Sequence, residues 1–403
     1  EFVDKIRINP GNFADKRAHF KVIEYDDASY VLELEKIEEK YAPLIEKCKR
    51  LKRAMRIGVN HGSLSDRIMN RYGDTPAGMI ESALEFTRIA RKYDYHDLIF
   101  SMKSSNPLVM IEAYRLLAKE MDRLGWDYPF HLGVTEAGEG EDGRIKSAIG
   151  IGSLLLDGIG DTIRVSLTED PWFEMKPCKE LVSLANRNRT KGDLAPFEPR
   201  EVAYRNLSFF KNASVAIHLT DDEQNDPDLF AKLGFDVVLG QPKIKNTSVD
   251  LIVVNRIVNR EKLKKLSDIG VSVLSYSNEA DFIPIRDNKK ALFSHRFPLV
   301  VQTEGEVPQV KPDLILLKPK GNFVPEARAF FKSLKADCPV ILVHDGGENA
   351  VIDSSAEVGS LFCDNRGEGV MIDAKLPLED RVRLSFNLLQ ASRKRITKTD
   401  FIS

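Results

Sequence analysis

The sequence predicts an α/β protein: a partial TIM (β/α) barrel, comprising its last five strands, followed by a second α/β barrel-like domain. Short apolar runs alternate with amphipathic helical stretches, the connections are short, and polar residues recur at the exits of the runs. In the first part the runs are residues 4–9 (DKIRIN), 55–60 (MRIGVN), 97–103 (DLIFSMK), 130–135 (FHLGVT) and 162–167 (TIRVSL). Helical patterns at 30–51, 76–92, 107–124 and 146–156 separate them. A complete barrel has eight strands. Three are therefore expected outside the chain, which starts without Met and stops abruptly at Ser403, as a fragment would.

The polar stretch 186–200 (NRNRTKGDLAPFEPR) marks a boundary. Beyond it the alternation resumes, with strands expected at 214–219, 235–239, 249–254, 271–276, 297–302, 313–317 and 339–344, and helices at 227–233, 261–269 and 325–334. The expected division is 1–186 for the substrate-binding partial barrel and 187–376 for a second, structural barrel-like domain. The remainder, 377–403, is an amphipathic helix (within 376–395) and a basic linker toward a further domain.

Composition narrows the function. At 403 residues the chain is long enough for two or three cored domains. With 59 Lys+Arg against 61 Asp+Glu, it has no bulk attraction for nucleic acid or an anionic membrane. No apolar stretch approaches the ~18–20 residues of a membrane span. Cys48, Cys178, Cys338 and Cys363 lie far apart, which excludes a disulfide framework and any CxxC metal site. The 7 His never stand at HxxxH spacing. These features predict a soluble protein of a reducing compartment.

The chemistry is expected at the exits of the first five strands. Side chains alternate faces along a strand, so residues two apart share a side. Arg7 and Asn9 then point one way, as do Arg56, Gly58 and Asn60, then Ser101, Lys103 and Ser105, and then Arg164 and Ser166; Thr135 and Glu136 end the fourth run. A lone strand-end arginine is usually a surface ion pair. Four cations on converging exits repel one another and lose hydration unless an anion neutralises them. Diphosphate suits them, because arginine forks grip its oxygens while lysine acts as a point charge. Glycines crowd the same loops, and helix N-termini expected at Ser63 and Arg144 would add amide donors. Other readings stand beside this one. Lys103 could form a Schiff base. Glu136 is either a counter-charge or a general acid/base. The acidic run 136–142 (EAGEGED) fits a solvated loop, and His344-Asp345-Gly346-Gly347 fits a turn. A non-catalytic phospholigand-binding protein would also have such a mouth.

Taken together, RINPGN (7–12), RIGVNHGSLSDRI (56–68), FSMKSSNP (100–107), HLGVTEAGEGEDG (131–143) and KSAIGIGSLLLDGIGDTIRVSLTEDP (146–171) closely resemble the 4-hydroxy-3-methylbut-2-enyl diphosphate synthase family. The resemblance is dense over residues 1 to ~185. The segment from ~187 to ~376 and the loop at 12–44 resemble the long, three-domain form of plants and chlamydiae. The resemblance implies an iron–sulfur oxidoreductase of non-mevalonate isoprenoid biosynthesis. Its reaction is the reductive ring opening and dehydration of 2-C-methyl-D-erythritol 2,4-cyclodiphosphate, with ferredoxin or flavodoxin as electron donor. It implies that Arg7, Asn9, Arg56, Asn60, Lys103, Thr135, Arg164 and Ser166 hold the diphosphate and that Glu136 transfers protons. It places the ligands of a [4Fe–4S] cluster beyond Ser403, so that this chain alone would not turn over. The compartment it implies is the bacterial cytoplasm, or the plastid stroma for a plant protein; oligomeric state stays open.

Overall fold

The computed structural model describes residues 2–13, 25–188, 198–204, 213–277, 281–287 and 298–399. Most of the boundary stretch expected at 186–200 lies outside these, as do residues 14–24 of the long loop and the last four residues. The chain divides into two compact units, Glu1–Leu194 and Ala195–Phe401.

In the first unit, β1 (Lys5–Ile8), β2 (Ala54–Asn60) and β3 (Leu98–Lys103) pair in parallel, as do β4 (His131–Leu132) and β5 (Thr162–Ile163). A parallel bridge from Phe100 to Phe130 joins the two sets, so the strands follow one another in chain order. The helix Pro107–Leu124 shows why this sequence folds so. Met110, Ala113, Tyr114, Leu117 and Met121 fall on one stripe and are all buried. Asn106 caps its first turn, accepting from the Leu108 amide at 3.1 Å, and Pro107 fills the first helical position. Gly125, at φ 64°, ends it in the left-handed region. On β2, Met55, Ile57 and Val59 are buried against the helices, and the Tyr41 hydroxyl of helix Asp27–Leu51 reaches the Met55 sulfur at 3.1 Å. The other side of each strand is thereby left for polar groups.

The second unit is a closed parallel barrel. Its strands are β6 (Ser214–Leu219), β9 (Leu251–Val254), β10 (Ser272–Ser275), β11 (Ile283–Asp287), β12 (Val300–Thr303), β13 (Leu314–Leu317), β14 (Val340–His344) and β15 (Gly369–Ile372), which pairs back to β6. Two expectations need correction. The run at 235–239 is not a barrel strand. It supplies β7 (Asp236–Val238), which forms an antiparallel hairpin with β8 (Gln241–Lys243) and leaves Val237 and Val238 exposed. Conversely, β11 and β15 were not expected. Pro284 and Arg286 interrupt the apolar pattern of β11, and β15 follows the loop-like stretch NRGEG. The expected terminal helix forms as Leu378–Ala391, but it packs on β15 and β6 as an outer helix of this barrel rather than opening a connector. Arg395 beyond it pairs with Asp250 at 2.5 Å.

A buried ion pair sits in the helical layer of the first unit. Arg67 and Glu85, each with a side chain 2% exposed, meet at 2.6 Å, and the Tyr30 hydroxyl donates to the same carboxylate oxygen. Burial pushes the Glu85 pKa up while Arg67 and Tyr30 pull it back. Arg67→Met leaves this carboxylate buried without its cation and is expected to destabilise the first unit by about 3–5 kcal/mol. Urea unfolding of the full-length protein, followed by a probe on that unit, measures it.

Candidate active site

The inner side of the five-strand sheet carries the predicted residues. Arg7 lies directly opposite Arg56 in the β1–β2 register, and Asn60 opposite Lys103 in the β2–β3 register. Arg7 folds across β2, its Nη2 donating to the Gly58 carbonyl at 3.0 Å and to Asn60 Oδ1 at 3.1 Å. Gly58 makes room for this: a Cβ there would stand 2.4 Å from Arg7 Nε. Lys103 likewise lies over Gly133, with Nζ 3.3 Å from where a Cβ would be. Asn9 donates to Ser63 Oγ at 3.2 Å and accepts from the Gly11 amide at 3.3 Å, which holds the loop after β1.

The electrostatics show that the cations share one field. Burial, then Arg56, Arg164 and Arg7, push the Lys103 pKa down to about 8. Burial and the charge of Arg7, joined by Arg164, also push Arg56 down. Arg56 Nε is buried with no hydrogen-bond partner among the described residues, a state that an incoming acceptor relieves. Arg164, whose side chain is 59% exposed, lies 3.8 Å from Glu174, an acid that partly offsets the downward push on Lys103.

The remaining predicted residues sit at the rim. Thr135 donates its amide to the Ser104 carbonyl at 3.2 Å. Ser166, half-buried, follows Arg164 by two residues, with Val165 buried on the opposite side. Glu136 is exposed and holds a left-handed backbone at φ 54°; no contact joins its carboxylate to the cations among the described residues. The helix N-termini expected at Ser63 and Arg144 need correction. The helices start at Asp66 and Gly140. Glu169 takes the Gly140 amide at 2.7 Å and grips Arg144 with both oxygens, so an acid already occupies that end.

His131 is a member that strand-end reasoning passed over. It faces inward two residues before Gly133 and four before Thr135, and its Nδ1 meets Thr162 Oγ1 at 2.8 Å. Burial and the charges of Arg56, Lys103, Lys5 and Arg164 hold its pKa down at about 4, so the imidazole is neutral at physiological pH. Counting back by two from Thr135 would have found it.

The cysteines do not fit a [4Fe–4S] cluster. Cys48 and Cys338 are buried, and burial pushes both thiols up, Cys338 to about 11, against the thiolate a cluster needs. No group of three metal-ligating side chains converges among the described residues.

Fold and site together define an α/β-barrel protein whose inner face gathers four cations. A family model, the GcpE TIM-barrel domain, matches residues 1–179. The 4-hydroxy-3-methylbut-2-en-1-yl diphosphate synthase (flavodoxin) of Protochlamydia amoebophila is 49% identical over 448 residues, covering all of this chain and 68% of the relative. The chloroplastic, ferredoxin enzyme of Arabidopsis thaliana is 42% identical over 468 residues, covering all of this chain and 63% of the relative. The chain therefore spans about two thirds of these relatives, and it belongs to the 4-hydroxy-3-methylbut-2-en-1-yl diphosphate synthase family.

The Lys103 shift predicts how a polyanion binds. In the free protein Lys103 loses its proton near pH 8, and a bound diphosphate restores it. Affinity for inorganic pyrophosphate is expected to fall as pH rises above about 8, with uptake of about one proton per ligand bound. Calorimetry in two buffers of different ionisation enthalpy reads both. In Lys103→Met the proton uptake in that range disappears.

Proposed function

We propose that this chain supplies the diphosphate-binding barrel of a 4-hydroxy-3-methylbut-2-enyl diphosphate synthase, acting on 2-C-methyl-D-erythritol 2,4-cyclodiphosphate. The observation that carries this is the excess of cations, Arg7, Arg56, Lys103 and Arg164, over the nearby Glu174 on one sheet face. The overall reaction opens the ring with two electrons and two protons and releases one water. The proposed role of this chain's residues is to bind and orient the substrate and, at Glu136, to move a proton. Arg56 and Lys103, the more buried cations, grip the diphosphate, with Arg7 and Arg164 at its sides. Asn9, Asn60, Thr135 and Ser166 complete its hydrogen bonds. Glu136, which follows Thr135 at the end of the fourth run, is the proposed group for moving a proton at the carbon end of the substrate.

Flavodoxin or ferredoxin is the proposed electron donor, after the names of the relatives. The compartment proposed is the cytoplasm for a bacterial source and the plastid stroma for a plant one. Among the described residues no helix is long and apolar enough to cross a membrane.

One observation favours a second reading. An amine held near pH 8 is the state a Schiff-base lysine needs. The three guanidinium groups around it suit an anion better than a carbonyl. Borohydride trapping of a substrate adduct on Lys103 would establish the lyase instead.

In the full-length enzyme, Arg56→Ala is expected to weaken binding of the cyclodiphosphate by about 10–100-fold, the loss of one or two charged hydrogen bonds. Glu136→Gln should lower kcat with KM nearly unchanged. Wild-type binding by Arg56→Ala would remove the proposal.

A further inference from the structure

The second barrel repeats the alternation of the first sheet, with a different outcome. Its interior is plugged by apolar side chains, among them Ala216 on β6, Val253 on β9, Leu274 on β10, Val300 on β12, Leu316 on β13 and Met371 on β15. Two residues further along each of these strands, toward the C-terminal mouth, stand His218, Asn255, Tyr276, Gln302, Lys318 and Asp373. A barrel that serves only as a spacer needs no polar residue at every such position. The C-terminal mouth is also where barrels of this kind bind ligands.

These side chains converge. Asp373 accepts from His218 Nδ1 at 3.1 Å through one oxygen and pairs with Lys318 Nζ at 3.0 Å through the other. Across the mouth the Tyr276 hydroxyl donates to Gln302 Oε1, which leaves the Gln302 amide nitrogen to donate in turn. The two halves feel each other: burial and the Asp373 charge raise the Tyr276 phenol to about 12. Hydrogen bonds from His218 and Lys318, with the Lys318 charge, overcome burial and hold the Asp373 pKa at about 2. His218 donates from Nδ1, so its Nε2 points away from Asp373. That Nε2 is shielded from solvent and has no hydrogen-bond partner among the described residues.

The loop after β14, where such barrels often seat a phosphate, is already filled from within. The Gly346 amide donates to His344 Nδ1, Gly347 to Asp345 Oδ1, and Glu348 and Asn349 both to Asp353 Oδ2. Lys318 is matched by Asp373, and Asp345 adds a further acid. The mouth lacks the cation excess of the first sheet and offers mixed donors and acceptors beside an aromatic ring.

We propose that the mouth of the second barrel binds a small uncharged polyhydroxy compound, of the sugar or sugar-alcohol class, with hydroxyls meeting the Gln302 amide and Lys318 beside the exposed Tyr276 ring. This is independent of the diphosphate reading of the first unit. The probes are D-ribose, D-xylose and glycerol, added to full-length protein labelled in its histidine rings. The imidazole signal of His218 is assigned by its loss in His218→Gln. At least one probe is expected to shift that signal saturably, and Lys318→Met and Gln302→Leu should each weaken the response by about tenfold. The histidine-ring spectrum of each unliganded variant should keep the wild-type dispersion, and its thermal unfolding the wild-type transitions, which shows that the second barrel remains folded. A His218 signal unmoved by all three probes overturns the proposal. So does a response to inorganic phosphate alone, or a saturation curve that neither variant alters.

Discussion

Everything in the first unit depends on one constraint, the two-residue alternation of a parallel strand packed on one side only. Helices cover the side that carries Met55, Ile57 and Val59, and that side must be apolar because it is dry. The opposite side is then free to hold groups that no packed core would tolerate. Arg7, Arg56, Lys103, His131 and Arg164 occupy it, and Arg56, Lys103 and His131 each feel the charge of neighbouring cations. The apolar half supplies the stability that lets these cations lie close together.

The three kinds of base on that face answer the same field differently. Lysine can release its proton, and Lys103 is pushed toward doing so. Histidine begins near neutrality and is held uncharged. Arginine keeps its proton under all ordinary conditions, so Arg56 remains a fixed cation with a buried, unpartnered Nε. The proposed diphosphate would act on all three at once: it would recharge Lys103, make protonation of His131 easier, and offer Arg56 an acceptor. The strength of binding thus resides in relieved repulsion as much as in new contacts.

The parts of the fold governed by local rules were legible in the sequence. The helices Pro76–Lys92 and Pro107–Leu124 start at a capped proline and run along a clear apolar stripe, so their bounds follow from composition. The inward set on β1, β2 and β3 follows from counting by two. What escaped depends on tertiary context. The strands β11 and β15 are four or five residues long and read as loop until the barrel closes around them. The run at 235–239 has strand chemistry, and only its hairpin partner Gln241–Lys243 shows that it lies outside the barrel. Glu169 closing the helix end at Gly140 joins residues 29 apart, which no local pattern reveals.

The same alternation governs the second barrel, and the comparison isolates what charge adds. There the inward face is apolar for most of its depth and turns polar only at the mouth. In the first unit the polar character starts deeper, with Arg56 and His131 on the strands themselves. A deep layer of like charge fits the multivalent anion proposed as its occupant. A shallow layer in which Asp373 already satisfies Lys318 and His218 is stable without any occupant, so a ligand there must compete through hydrogen bonds rather than through charge. Two mouths built on one backbone rule are in this way suited to ligands that differ in net charge, and neither ligand is expected to displace the other.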